Sequence, residues 1–216
     1  MRRGGARGHA SRASRSPATR TGLRIIAGRL KGRRLLTPDW ADVRPTSDRL
    51  RETLFNVLRD AIPGARVLDA FAGTGALGLE AVSRGAAHVT FADVDRRALD
   101  LIATNIERTG VAEGYTIVRA DLARGGAVFA PQFDVVLADP PYDMDPAPIL
   151  AGLSDAVAGR GLVVLEHARR TGAPERAGAL RRTRLLEAGD SALSFYRREA
   201  DATGAAGPEA EDGGDA

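Results

Sequence analysis

The 216-residue chain contains no cysteine. That excludes a disulfide framework, a thiolate metal site and a cysteine nucleophile, and it fits a reducing compartment. Histidine is scarce: His9, His88 and His167 are scattered along the chain and form no metal cluster. His88 and His167 read as surface or strand-end residues. Apolar residues make up 44% of the chain, enough for a substantial core. No apolar run approaches the roughly 20 residues that a membrane helix needs, and the N-terminus lacks the apolar centre of a secretory signal. Together these absences predict a soluble, cytoplasmic protein.

Charge of one sign is missing from each end. Residues 1–36 hold eleven Arg or Lys and no acid, whereas residues 201–216 hold five acids and no base, within a net charge of +3. A localised basic arm points to a polyanionic partner, because each phosphate neutralised releases counterions. Residues 1–21, rich in Arg, Ser, Gly and Ala, read as a disordered basic tail without a binding role of their own, and residues 200–216 as a disordered acidic tail.

Between the tails the pattern alternates. Residues 24–27 and 33–36 read as two short strands with Gly28 and Gly32 between them. Pro45-Thr46-Ser47-Asp48 opens a helix carrying Leu50, Leu54, Val57, Leu58 and Ile62 at helical spacing, which Pro63-Gly64 stops. Residues 22–64 are thus expected to form a hairpin-and-helix extension ahead of a domain at 65–199. In that domain, strands are predicted at 67–69, 88–92, 115–118, 133–138, 162–165, 183–187 and 192–196. Helices are predicted at 76–84, 96–109 and 146–157. Alternating strands and helices imply an α/β fold with a mostly parallel sheet covered on both faces. Ligands of such sheets sit beyond the carboxyl ends of the strands.

Two motifs fall at those ends. Phe71-Ala72-Gly73-Thr74-Gly75-Ala76-Leu77-Gly78 is a G-x-G-x-x-G between a strand and a helix, the context this phosphate- and nucleoside-binding signature requires. Asp93 closes the next strand, placed to accept hydrogen bonds from ribose hydroxyls, with Val94 after it. Asp121 and Leu122 end the third strand, where a carboxylate and a backbone amide suit an adenine edge; Asp121 also reads as a helix N-cap. An adenosine-containing cofactor follows. Asp69, just before the loop, argues against a pyrophosphate and for a cofactor with a cationic end, such as S-adenosylmethionine.

Asp139-Pro140-Pro141-Tyr142 ends the fourth strand. Two prolines force the chain out of the ladder in a stiff, extended shape. That leaves the Asp139 carboxylate and the Pro140 carbonyl as fixed acceptors, with the Tyr142 ring as a flat face. An exocyclic amine on a base is a poor nucleophile because its lone pair is delocalised. Two acceptors on its N–H groups free that lone pair, and an aromatic face stacks the base, a contact worth about 1–3 kcal/mol. The chemistry requires no metal.

Arg24-Ile25-Ile26-Ala27-Gly28, Gly32-Arg33, Arg44-Pro45-Thr46-Ser47-Asp48-Arg49, Arg51-Glu52-Thr53-Leu54-Phe55-Asn56, the run from Val67 to Ala81 and Asp139-Pro140-Pro141-Tyr142 together resemble the bacterial small-subunit (16S) ribosomal RNA guanine-N2 methyltransferase family. The resemblance spans residues 23–197. It implies a Rossmann-like class I methyltransferase fold with a seven-stranded sheet, S-adenosylmethionine as cofactor, and a guanine N2 target in ribosomal RNA within an assembling small subunit; a monomer is expected separately. Asp93 stands where that family often has Glu. The long tails depart from the family's compact form. Arg24, Arg29, Lys31, Arg33, Arg34, Arg44, Arg49 and Arg51 are the expected RNA-contacting collar, since phosphate contacts position RNA without reading its sequence.

The alternatives are an S-adenosylmethionine-dependent amino-methyltransferase acting on another RNA or on DNA adenine, an NAD-dependent oxidoreductase and a noncatalytic RNA-binding protein. A DNA adenine methyltransferase shares both motifs but needs a sequence-reading domain for which this chain has no room. An NAD-dependent oxidoreductase lacks the D-P-P-Y segment. A noncatalytic RNA-binding protein has no use for intact cofactor and amine segments.

Overall fold

A computed structural model describes residues 20–38, 48–123, 129 and 132–199. Residues 1–19 and 200–216, Arg44 and Pro45-Thr46-Ser47 lie outside the described residues; Arg20 and Thr21, expected in the disordered tail, instead pair with Thr37 and Leu36.

The chain opens with a small antiparallel ladder of β1 (Arg20–Arg24) and β2 (Arg34–Thr37). The expected first strand at 24–27 is displaced. Ile26 and Ala27 turn their amides onto the Glu80 carboxylate, at 2.8 and 3.0 Å, instead of continuing the ladder. Helix α1 (Asp48–Val57) follows and continues through further turns to Ile62. Of the residues at the predicted spacing, Leu50, Leu54, Leu58 and Ile62 are buried and Val57 is half-buried, while Phe55, outside that set, is also buried.

The larger sheet contains β3 (Arg66–Ala70), β4 (His88–Asp93), β5 (Tyr115–Arg119), β6 (Phe133–Ala138), β7 (Val157–Ala168), β8 (Arg176–Ala177), β9 (Leu180–Ala188) and β10 (Ser191–Arg198). Its order is β5-β4-β3-β6-β7-β10-β9-β8. The first five strands are parallel and the last three antiparallel. Among the described residues this sheet has eight strands where seven were expected. The extra one, β8, spans two residues in a loop with no period for a pattern to reveal.

Helices α2 (Ala76–Ser83) and α3 (Arg96–Thr109) cross one face of the sheet and α4 (Pro146–Leu153) the other. The bounds of α3 agree with the sequence because both ends carry local signals. The Asp95 side chain accepts from Arg97 N–H, and Gly110 takes the left-handed cap at φ 74°. Helix α4 stops four residues short of its expected end, since Val157, fully buried, pairs with Phe133 and opens β7. His88 opens β4. His167 lies near the end of β7 but is buried, not on the surface, with Nε2 2.9 Å from Ser194 Oγ.

Neighbouring residues divide between two cores. Val67, Leu79, Ile102, Val164 and Phe195 pack on one side of the sheet. Leu68, Val136, Val163, Leu165 and Tyr196 pack with Ile149, Leu150 and Leu153 on the other. Burial on both faces explains why the central strands are continuously apolar. Leu23, Ile25, Leu30, Leu35 and Leu54 share the first of these cores, so the described residues between 22 and 64 pack as a layer on this sheet.

That layer is latched onto α2. Glu80, fully buried, accepts from Ile26 and Ala27 amides and from Arg84 Nε at 2.9 Å. Ser83 Oγ accepts from Leu30 N–H at 2.9 Å and donates to the Ala27 carbonyl, while the Ser83 carbonyl accepts from Arg29 N–H at 2.8 Å. Gly28 sits between them at φ 79°, and a Cβ there would meet Ser83 O at 2.0 Å. The Arg-Ile-Ile-Ala-Gly block is thus a docking sequence. Among the described residues, no helix is long and apolar enough to cross a membrane.

Gly28→Ala combines left-handed strain with a backbone clash, so unfolding stability should fall by about 2–4 kcal/mol. Guanidinium denaturation checks this; an unchanged midpoint would contradict the latch.

Candidate active site

Strands β4, β3 and β6 lie side by side, with Ala92 and Ala138 both opposite Ala70. Their carboxyl ends therefore bring the glycine loop, Asp93 and Asp139 to one edge of the sheet. The loop is a chain of left-handed residues: Phe71 at φ 61°, Gly73 at 53° and Gly75 at 76°. A non-glycine residue in this region costs of order 1–3 kcal/mol and persists only where surrounding bonds impose it. Those bonds are present. Ala72 N–H donates to Ala92 O at 3.0 Å, Gly75 N–H to Ala72 O at 2.7 Å, and Gly73 N–H to Asp93 Oδ2 at 2.9 Å. The other oxygen of Asp93 accepts from Asp95 N–H at 2.9 Å. Asp93 therefore fixes both the glycine loop and the turn into α3.

Gly78 has a separate duty. A Cβ there would meet the Phe91 ring at 2.2 Å and Asp69 Oδ2 at 2.9 Å. Its amide donates to Asp69 Oδ2 at 2.7 Å. Asp69 is 1% exposed, which corrects the expectation that it faces a ligand directly; it supports the loop from beneath. Burial pushes its carboxyl well above the usual range, against the Gly78 hydrogen bond, and the nearby charges of Asp139 and Asp93 push the same way.

The remaining predicted cofactor residues flank this edge. Val94 is 50% exposed, and Arg119 Nε donates to its carbonyl at 3.1 Å. Ala72 is buried and Phe71 half-buried. Asp121 is half-buried two residues past the end of β5, while the Leu122 side chain belongs to the second core.

Just past β6, the Asp139 amide lies 3.4 Å from the Ala70 carbonyl. Asp139 is half-buried, Pro140 buried and Pro141 exposed. Met144 N–H donates to the Pro141 carbonyl at 3.0 Å, closing the turn. The Tyr142 hydroxyl reaches Ser191 Oγ at 2.6 Å and Glu166 Oε1 at 3.1 Å. Burial, with the charges of Glu166 and Asp139, raises the phenol to about 12 against the Ser191 hydrogen bond.

Of the expected basic collar, Arg24, Arg29, Lys31, Arg33, Arg34 and Arg49 are exposed. Arg44 lies outside the described residues. Arg51 does not belong to the collar: it is 1% exposed, with Nη2 bonded to the Arg24 carbonyl at 3.0 Å and Asp48 Oδ1 at 2.7 Å. Its position on the buried stripe of α1, one residue after Leu50, turns it inward. Among the described residues there is no group of three His, Asp or Glu able to hold a metal.

Sequence reasoning missed Asn105. It lies in the buried stripe of α3 beside Leu101, Ile102 and Ile106. Its Oδ1 accepts from Leu36 N–H at 2.8 Å, and its Nδ2 donates to Leu36 O at 3.1 Å and Thr74 O at 2.9 Å. One amide thus ties the N-terminal layer to the middle of the glycine loop. The available signal was a polar residue on an apolar helical face.

The family described as Conserved hypothetical protein 95 matches residues 23–197. The chain belongs to this family. It is 36% identical over 181 residues to the ribosomal RNA small subunit methyltransferase D of Escherichia coli strain K12, covering 82% of this chain and 91% of that one. It is 33% identical over 182 residues to a putative rRNA methyltransferase, YlbH, of Bacillus subtilis strain 168, covering 82% and 99%. A solved putative methyltransferase, yhhF from Escherichia coli, superposes with a TM-score of 0.72 at 36% identity, over 83% of this chain and 99% of that one. The family match therefore excludes both tails and includes the latched N-terminal layer.

Asn105→Ala leaves the Leu36 amide and two carbonyls without partners. Stability should drop by about 2–4 kcal/mol, measured by denaturant unfolding; a loss below about 0.5 kcal/mol would contradict the tie.

Proposed function

We propose that the chain methylates the exocyclic N2 amine of a guanine in small-subunit (16S) ribosomal RNA, using S-adenosylmethionine. The observation that carries the reading is the position of the Asp139 carboxylate, at the end of β6 beside the Asp93-clamped glycine loop.

The residues fit the cofactor. The backbone at Gly73 is open, since a Cβ there would meet nothing closer than 3.9 Å. A carboxylate oxygen accepts more than one hydrogen bond, so Asp93 can hold ribose hydroxyls while clamping the loop. Val94 offers an exposed apolar surface next to it. Negative charge from Asp139 and Asp93 suits a ligand carrying a sulfonium and an ammonium and disfavours a pyrophosphate. Asp121 and the Leu122 amide would meet the adenine edge. When bound, the cofactor supplies an electrophilic methyl group.

The chain supplies position and electrostatics. Asp139 and the Pro140 carbonyl accept the amine's N–H groups and draw its lone pair out of conjugation. Pro140 and Pro141 hold those acceptors in place. The Tyr142 ring stacks the base and aligns the nitrogen for in-line attack. The alkylated nitrogen is acidic and loses its proton without a strong base.

The RNA substrate is supported by the names of the relatives, and guanine N2 by the family resemblance. Arg24, Arg29, Lys31, Arg33, Arg34 and Arg49 hold RNA phosphates, within an assembling small subunit, in a cytoplasmic monomer. Because Ile26 and Ala27 are occupied in docking onto α2, that part of the Arg-Ile-Ile-Ala-Gly block supports the substrate through kinship, and only Arg24 of the block is offered to RNA.

Asp139→Ala should keep S-adenosylmethionine affinity within a few-fold, measured by calorimetry, and lower methyl transfer by about 10²–10³, the usual effect of removing one preorganised hydrogen-bond partner. Asp93→Ala should weaken cofactor binding instead. Full transfer by Asp139→Ala would overturn the reading.

A further inference from the structure

The Tyr142 side chain is bonded far outside its own segment. Its hydroxyl donates to Glu166 Oε1 and lies 2.6 Å from Ser191 Oγ. A phenol has one proton to give, so Ser191 donates to Tyr142 and Tyr142 to Glu166. Glu166 sits near the end of β7 and is 4% exposed. Ser191 opens β10. These strands are paired, with Ser191 opposite Ala168 and Leu193 opposite Glu166. Strand β7 also lies parallel to β6, with Leu165 opposite Ala138, so Glu166 follows the same edge as Asp139. The ring is thus held at both ends. Pro140 and Pro141 fix its backbone, and two neighbouring strands fix its hydroxyl.

Stacking a base needs only a flat face, which phenylalanine also offers. The hydroxyl and its two partners therefore do something that stacking does not require. We propose that Glu166 and Ser191 are positioning residues that lock the Tyr142 ring in its reacting orientation through its hydroxyl. This rests on the reading of Asp139-Pro140-Pro141-Tyr142 as the amine site. The ring's rotational freedom is removed by the fold before RNA arrives, not by the base in the transition state. Both partners lie outside every sequence motif of the site: Glu166 interrupts an apolar strand, and Ser191 follows a turn.

Freezing one side chain is worth about 2–10-fold. Its loss should fall on kcat, because RNA affinity is set mainly by phosphate contacts. The test is steady-state methylation of small-subunit RNA by the full chain, with nucleoside mass spectrometry of the product. Tyr142→Phe and Ser191→Ala should each lower kcat about 3–10-fold, with RNA KM and cofactor Kd within twofold of wild type. The double variant should be no slower than Tyr142→Phe alone, since both changes break the same tether. Ser191→Thr should restore kcat, and Glu166→Gln, which keeps an acceptor oxygen, should stay within threefold. Unchanged kcat in Ser191→Ala, or multiplying losses in the double variant, overturns the tether. A loss beyond 100-fold in Glu166→Gln overturns the positioning role in favour of one needing its charge. A wild-type product other than N2-methylguanosine overturns the substrate reading and leaves the tether to be judged by the kcat pattern.

Discussion

Helix α2 lies so close to β3 and β4 that one methyl group at position 78 would strike the Phe91 ring. This approach is the constraint on which the rest of the site depends. It lets Asp69 reach the Gly78 amide from below, so the turn between strand and helix is anchored at its far end. It sets the turn tight enough to require three left-handed residues. It also presents Glu80 and Ser83, further along α2, to the N-terminal segment. Cofactor loop and N-terminal layer are thus built on opposite ends of one short helix, and Asn105 joins them a second time from α3.

Charge is partitioned around this framework. Asp69, Asp93 and Asp139 gather at the carboxyl edge of the sheet, close enough for the last two to shift the first. Exposed arginines and Lys31 occupy the N-terminal layer. An acidic cleft beside a basic surface suits a cationic small molecule and a polyanion at once, each attracted to its own region. Arg51, although in the same block, serves folding instead: its guanidinium joins Asp48 on α1 to the Arg24 carbonyl on β1.

Features with local signals were legible in the sequence. Asp95 and Gly110 delimit α3, the apolar run 133–138 gives β6, and the glycine loop with Asp93 marks a ligand edge. Features set by distant partners were not. Nothing near Ile26 and Ala27 says that Glu80, more than fifty residues away, takes their amides out of a strand. Val157 fits a helical pattern until Phe133 pairs with it. Asp69 reads as a ligand contact because charge pattern carries no information on depth. Asn105 and Glu166 were detectable only as polar residues among apolar neighbours, and their partners, Thr74 and Tyr142, required coordinates.

The central claim is that this edge of the sheet delivers a methyl group to guanine N2 of small-subunit ribosomal RNA. The most direct measurement is nucleoside mass spectrometry of that RNA from cells with and without the gene. The account predicts that one N2-methylguanosine disappears on deletion and returns when the gene is restored. An unchanged N2-methylguanosine content after deletion would contradict it.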